Sequence, residues 1–174
     1  MFNRCPKCGS AEISDGICQA CGFPAGKVNQ VMMQAYLITG AMAMSVLIYA
    51  AIAVAVTAKA EVPGSAPQFL PVILLVLAIV DVAIGIMVAL SAHKQPTVQQ
   101  MFGRLIVSAA MAESAAIMGL VLTLLTKDMK WIAVFTVISL VGFVVIGREM
   151  PAFAKAVVDY VDQHPGEDLN LGRG

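Results

Sequence analysis

Four cysteines and two carboxylates carry the chemistry this sequence offers. The cysteines all fall within the first 21 residues, as Cys5-Pro6-Lys7-Cys8-Gly9 and Cys18-Gln19-Ala20-Cys21-Gly22, a C-x2-C-x9-C-x2-C arrangement. Each C-x-x-C-G turn can present two thiolates to one metal ion, and its glycine lets backbone N–H groups approach the sulfurs. Two such turns complete the closed tetrahedral shell of structural zinc. A pair of disulfides or an iron–tetrathiolate centre would use the same residues. A reducing compartment disfavours disulfides, and Phe2 and Phe23 are the only aromatics near the cysteines to surround an iron. Four sulfurs leave no open coordination position, so the metal is read as structural rather than catalytic.

The carboxylates are Asp81 and Glu113, each near the centre of an apolar run, 70–91 and 105–126. An acid at mid-bilayer costs roughly 2.5–3.5 kcal/mol on insertion scales. Asp81 lies 16 residues before Thr97 and Glu113 lies 16 after it. A helical hairpin turning at 93–97 therefore places both acids at one depth. Two acids meeting there could not both ionise cheaply; they would share at least one proton and titrate as a coupled pair. Such a pair can carry protons or bind a cation. Its plainer use is an interhelical hydrogen bond, worth about 0.6–2 kcal/mol in membranes.

The elements that must position these groups are legible from composition and apolar periodicity. The chain has 174 residues, 59% hydrophobic and 13% charged. Soluble domains are nearer half apolar and a quarter charged. Apolar runs at 31–58, 70–91, 105–126 and 129–147 are each long enough to cover most or all of a hydrocarbon core of about 30 Å. The fold class is thus an all-α membrane protein: a metal-bearing N-terminal module at 1–26, four transmembrane helices within 27–148, and a C-terminal stretch at 149–174. With the N-terminus inside, Arg4, Lys7, Lys27, Lys94, Arg104, Arg148, Lys155 and Arg173 face the cytoplasm, and Lys59, Lys127 and Lys130 lie outside. That distribution, 8 against 3, places both termini in the cytoplasm of a prokaryotic-type inner membrane by the positive-inside rule. The polar, cysteine-rich start does not read as a cleavable signal, so the first span is its own insertion signal.

Between these parts, residues 25–30 read as a short polar linker, and Pro63, Gly64 and Pro67 turn the chain outside the membrane. After Arg148, Pro151 reads as the start of a separate amphipathic helix. Phe153, Ala156, Val157, Tyr160 and Val161 form its apolar face, to lie on the membrane surface or on the N-terminal module. Pro165-Gly166 ends that helix and 167–174 reads as a disordered tail. The eleven methionines fill packing gaps.

Two resemblances sharpen this reading. Residues 3–24 resemble the short zinc ribbons found at the ends of many prokaryotic proteins, which implies a structural Zn2+ on Cys5, Cys8, Cys18 and Cys21. Residues 70–125 resemble the proteolipid subunit c of rotary ATP synthases. There Gln95-Pro96 matches that family's polar loop, and Glu113, within Met111-Ala112-Glu113-Ser114-Ala115-Ala116-Ile117-Met118-Gly119-Leu120-Val121, matches its ion-carrying carboxylate. The chain departs from the family in having one glycine, Gly85, in the first helix of the hairpin, a second acid at Asp81, and two further spans.

Two functions follow as expectations. One is an oligomeric ion-handling membrane subunit with Glu113 as carrier and Asp81 as partner. The other is a membrane-anchored binding module whose ribbon recruits a cytoplasmic protein and whose acids only clamp helices. No nucleophile–base pair suggests an enzyme; His93 and His164 are the only histidines. No basic tract suggests nucleic acid.

Overall fold

The computed structural model describes residues 4–58, 67 and 69–164. The proline- and glycine-bearing turn at 61–66 and the tail at 167–174 lie outside the described residues.

Two strands, β1 (Ile13–Ser14) and β2 (Ile17–Cys18), pair antiparallel near the N-terminus. Four helices follow: α1 (Ala25–Thr57), α2 (Leu70–Leu90), α3 (Val98–Thr126) and α4 (Lys130–Gln163). All four are long and apolar enough to cross a membrane. Their outward faces carry Leu37, Val72, Met87 and Val137, each about 60% exposed, as helices solvated by lipid require.

Helices α3 and α4 form the central pair. Both α1 and α2 pack against α3 and against α4, with little contact between α1 and α2. The two outer helices thus flank the central pair on different sides. Close approach of α3 and α4 depends on missing side chains. A Cβ at Gly119 would overlap the Phe135 ring, and one at Gly142 would stand 3.0 Å from Ala112 Cβ. The space that Gly119 leaves on α3 is thus filled by an aromatic ring of α4. Helices α2 and α3 form the hairpin the sequence predicts. Its turn is a 3-10 segment at Ala92–Lys94, and Thr97 caps α3 by accepting from the Gln100 N–H at 3.3 Å.

Two sequence expectations need correction, and length explains both. At 1.5 Å per residue, the 33 residues of α1 and the 34 of α4 each run about 50 Å, well beyond a hydrocarbon core of about 30 Å. Residues 25–30 are therefore the first turns of α1 and not a linker. Residues 150–163 are a direct continuation of α4 and not a separate helix. Pro151 lies inside α4, where it removes only the backbone bond to the Gly147 carbonyl. Packing outweighs that loss, because Ile146, Met150, Phe153, Val157 and Val161 form one buried stripe that runs straight through the proline.

The overhanging ends of α1 and α4 hold the N-terminal module. Cys5, Cys18 and Phe23 share one buried cluster with Ala25 and Val28 of α1 and with Phe153, Val157 and Val161 of α4. The β1–β2 turn, Asp15-Gly16, has both residues at positive φ (51° and 78°), the geometry of a tight two-residue hairpin. Its tip rests on α1: the Gly26 N–H donates to the Gly16 carbonyl at 2.7 Å, and a Cβ at Gly26 would come within 2.8 Å of Gly16 Cα. Lys7 pairs with Asp162 at 2.5 Å across the junction with α4.

Candidate metal centre and membrane carboxylates

The two C-x-x-C-G segments fold alike. The Gly9 N–H donates to the Cys5 carbonyl and the Gly22 N–H to the Cys18 carbonyl, both at 2.8 Å. Both glycines take positive φ, 76° and 70°, which a side chain would strain. These turns bring the cysteines together. Cys5 Sγ stands 3.7 Å from Cys21 Sγ and Cys8 Sγ stands 3.5 Å from Cys18 Sγ, and all four sulfurs lie within 4.8 Å of one another. The cysteines are free, with sulfurs far beyond a disulfide bond of about 2.05 Å. A tetrahedral thiolate shell with a metal–sulfur distance of about 2.3 Å has sulfur–sulfur separations of about 3.8 Å. The set is compatible with a bound metal such as zinc.

Crowding splits the titration of these thiols. Burial pushes the Cys5 thiol up, but the backbone N–H groups of Cys8 and Lys7 and the thiols of Cys18 and Cys21 outweigh it and bring it down to about 7. The Phe23 N–H pulls Cys21 down, yet burial and hydrogen bonds with Cys8, Cys18 and Cys5 push it up to about 12. A divalent cation at the centre would reverse that resistance by taking the place of the protons. Cys5 and Cys18 are buried against the helices while Cys8 and Cys21 face outward, so the module covers one side of the centre only.

The carboxylates are arranged differently from the coupled pair read from the sequence. They do share a depth, because Asp81 meets Ser114, the residue next to Glu113. They do not share a partner. Asp81 Oδ2 receives the Ser114 hydroxyl at 3.0 Å, across the α2–α3 interface. Glu113 Oε1 receives the Tyr49 hydroxyl at 2.9 Å and a short hydrogen bond from the Ser45 hydroxyl, across the α1–α3 interface. Consecutive residues of a helix point about 100° apart. Position 113 thus faces α1 and position 114 faces α2, and the acids diverge around α3. Ser45 and Tyr49 were not singled out from sequence. Two hydroxyls spaced i, i+4 near the middle of the first span were the signal that could have found them.

Each serine is also engaged with its own helix. Ser45 Oγ lies 2.6 Å from the Met42 carbonyl, and Ser114 Oγ lies 2.7 Å from the Met111 carbonyl. On the side where the hairpin turns, Arg104 donates to Ser91 Oγ at 2.7 Å, and His93 Nδ1 stands 3.9 Å from Glu149 Oε2 of α4. No family model, curated protein or solved structure matches this chain.

Proposed function

We propose that this chain is a membrane-anchored binding module. A zinc ribbon is carried on the cytoplasmic ends of α1 and α4 and presented to a cytoplasmic protein, and the membrane acids serve as helix clamps. The convergence of four sulfurs within 4.8 Å on a seat built from both overhanging helix ends carries this reading. A segment of about 25 residues cannot bury enough apolar surface to fold alone, so metal and helix ends together supply its stability. The metal's part is structural: it ties the two knuckles together. The outward face of the ribbon carries Ile17, 47% exposed, beside Glu12 and Asp15. An exposed apolar side chain on a polar module suits a protein partner. A photo-crosslinking residue placed at position 17 should trap a discrete cytoplasmic protein in intact cells, and the adduct should vanish with Cys8→Ser. A chain that forms no adduct there, or forms it equally without the ribbon, contradicts the proposal.

One observation favours a second reading, ion handling at Glu113. Ser45 has a single hydroxyl proton and two acceptors in reach, the Met42 carbonyl and Glu113 Oε1. Ser45 thus joins Glu113, which also receives the Tyr49 hydroxyl, to the Met42 carbonyl in one polar string, Tyr49–Glu113–Ser45–Met42. An apolar carbodiimide, which reacts with protonated acids, should then label Glu113 and lose its target in Glu113→Gln. Transport of protons or cations by the wild type but not by Glu113→Gln would promote this reading over the clamp.

A further inference from the structure

A groove of about 570 Å³ opens between α2 and α3 at the end where the hairpin turns. It is lined by Val88 of α2, Gln95 of the turn, and Gln100, Gly103, Arg104 and Val107 of α3. Its depth follows from α2. The 21 residues of that helix run about 30 Å, one hydrocarbon thickness, and the apolar sequence then gives way directly to Ser91, His93 and Lys94. The Arg104 guanidinium donates to Ser91 Oγ at 2.7 Å, so this cation stands level with the end of the span. Val88 precedes Ser91 and Val107 follows Arg104 by three residues, one turn further into the two apolar runs. The groove therefore runs from the bilayer surface into the hydrocarbon.

Arg104 is the one charged residue lining the groove, and among the described residues it forms no ion pair. Its bond to Ser91 holds the guanidinium in place and leaves its other N–H donors for a ligand. Ser91 is itself fixed, its hydroxyl donating to the Val88 carbonyl at 2.9 Å and its carbonyl receiving Gln95 Nε2 at 3.2 Å. Lys94, exposed in the same turn, adds a second positive charge. Beside Arg104 the groove is open, since a Cβ at Gly103 would meet nothing within 4 Å. We propose that this groove binds a phospholipid with a net negative headgroup, of the glycerol type. The phosphodiester would lie on the Arg104 fork, whose geometry suits two phosphate oxygens. The Gln100 amide would meet the glycerol hydroxyls, and an acyl chain would lie along Val88 and Val107. An ethanolamine headgroup would instead bring its ammonium to a cation with no acid beside it, and a free phosphate would make no use of the valines. The lipid would fasten the hairpin turn at the bilayer surface. This goes beyond the binding-module reading and does not depend on what the ribbon recruits.

Native mass spectrometry of the full chain, released from nanodiscs holding equal phosphatidylglycerol and phosphatidylethanolamine, tests it. Wild type should retain phosphatidylglycerol several-fold over phosphatidylethanolamine. Gly103→Trp, which fills the groove from a position where an added Cβ meets nothing, should lower phosphatidylglycerol retention to the level of phosphatidylethanolamine. Arg104→Gln, at an exposed position, should erase the preference even if the tryptophan variant fails to fold. Lys127→Gln, which removes a cation at the other end of α3, should leave the preference unchanged. Equal retention of the two lipids by wild type, the same preference in Arg104→Gln, an equal loss in Lys127→Gln, or displacement of the lipid by added inorganic phosphate would each overturn the proposal.

Discussion

Four thiols converge in this molecule and two carboxylates diverge, and the contrast shows what each region is built to do. At the N-terminus two like turns, each with a glycine at positive φ, fold back until four sulfurs stand at spacings a single metal can fill. Thiols so placed are compatible with a bound cation, which would stabilise their thiolates. In the helical bundle the opposite device is used. Asp81 and Glu113 reach the same depth but are turned to different sides of α3, each matched to hydroxyls on a neighbouring helix or on α3 itself. Neutral hydroxyl partners suit an acid in a lipid-solvated bundle, because no buried like-charge pair is created. The convergence is compatible with a bound metal, and the divergence fits the proposed use of the acids as two separate fastenings of the outer helices to the central pair.

The largest effect that would sharpen this contrast is expected at the thiols. Cys8→Ser should remove the metal and leave the N-terminal 24 residues open to protease, while all four spans stay inserted. Retention of metal with three cysteines would break the argument that the site needs a closed shell.

The carboxylates should respond more modestly. Glu113→Ala strands the Tyr49 hydroxyl, while Ser45 keeps the Met42 carbonyl, and is expected to cost about 1–3 kcal/mol in unfolding from detergent or bilayer. Asp81→Ala strands no hydroxyl, because Ser114 keeps the Met111 carbonyl, and should cost less. Glu113→Gln should recover most of the loss, because the amide keeps volume and hydrogen bonding. Since the acids share no partner, the Glu113→Gln and Asp81→Asn effects should add to within about 0.5 kcal/mol. A coupling above about 1 kcal/mol would return the two acids to a common site.

The smallest effect is expected of the ion pair where the regions meet. Lys7 and Asp162 are both nearly half exposed, so their ion pair is screened and Asp162→Asn should change stability little. The apolar seat should matter more. Phe153→Ala, which empties a fully buried ring position next to the module, should cost about 3–5 kcal/mol or release the module from α4. Equal effects from the two substitutions would mean that the module is held by charge and not by its core.

The parts of this arrangement legible in the sequence were those set by spacing along the chain. Cysteine spacing announced the cluster, apolar run lengths announced four spans, and symmetry about Thr97 announced the shared depth of the acids. What escaped was rotation about a helix axis. Spacing gives the depth of Glu113 but not whether it faces α1 or α2, and that choice rests on how α1 and α2 distribute around α3 and α4. Pro151 was misleading for a related reason. Read locally it starts a helix, but the buried stripe of Met150, Phe153 and Val157 continues the face of Ile146, and tertiary packing overrides the local signal. Asp-Gly is a strong hairpin signal, and Asp15-Gly16 makes the β1–β2 turn.

The central claim is that the N-terminal module is a zinc ribbon folded on its metal. Elemental analysis of the full chain, purified in detergent without added metal, tests it most directly. The expected result is one zinc per chain at neutral pH. It should be lost as acid returns protons to the thiols. Iron with the absorption of a ferric thiolate, or a metal-free chain with oxidised cysteines, would contradict it.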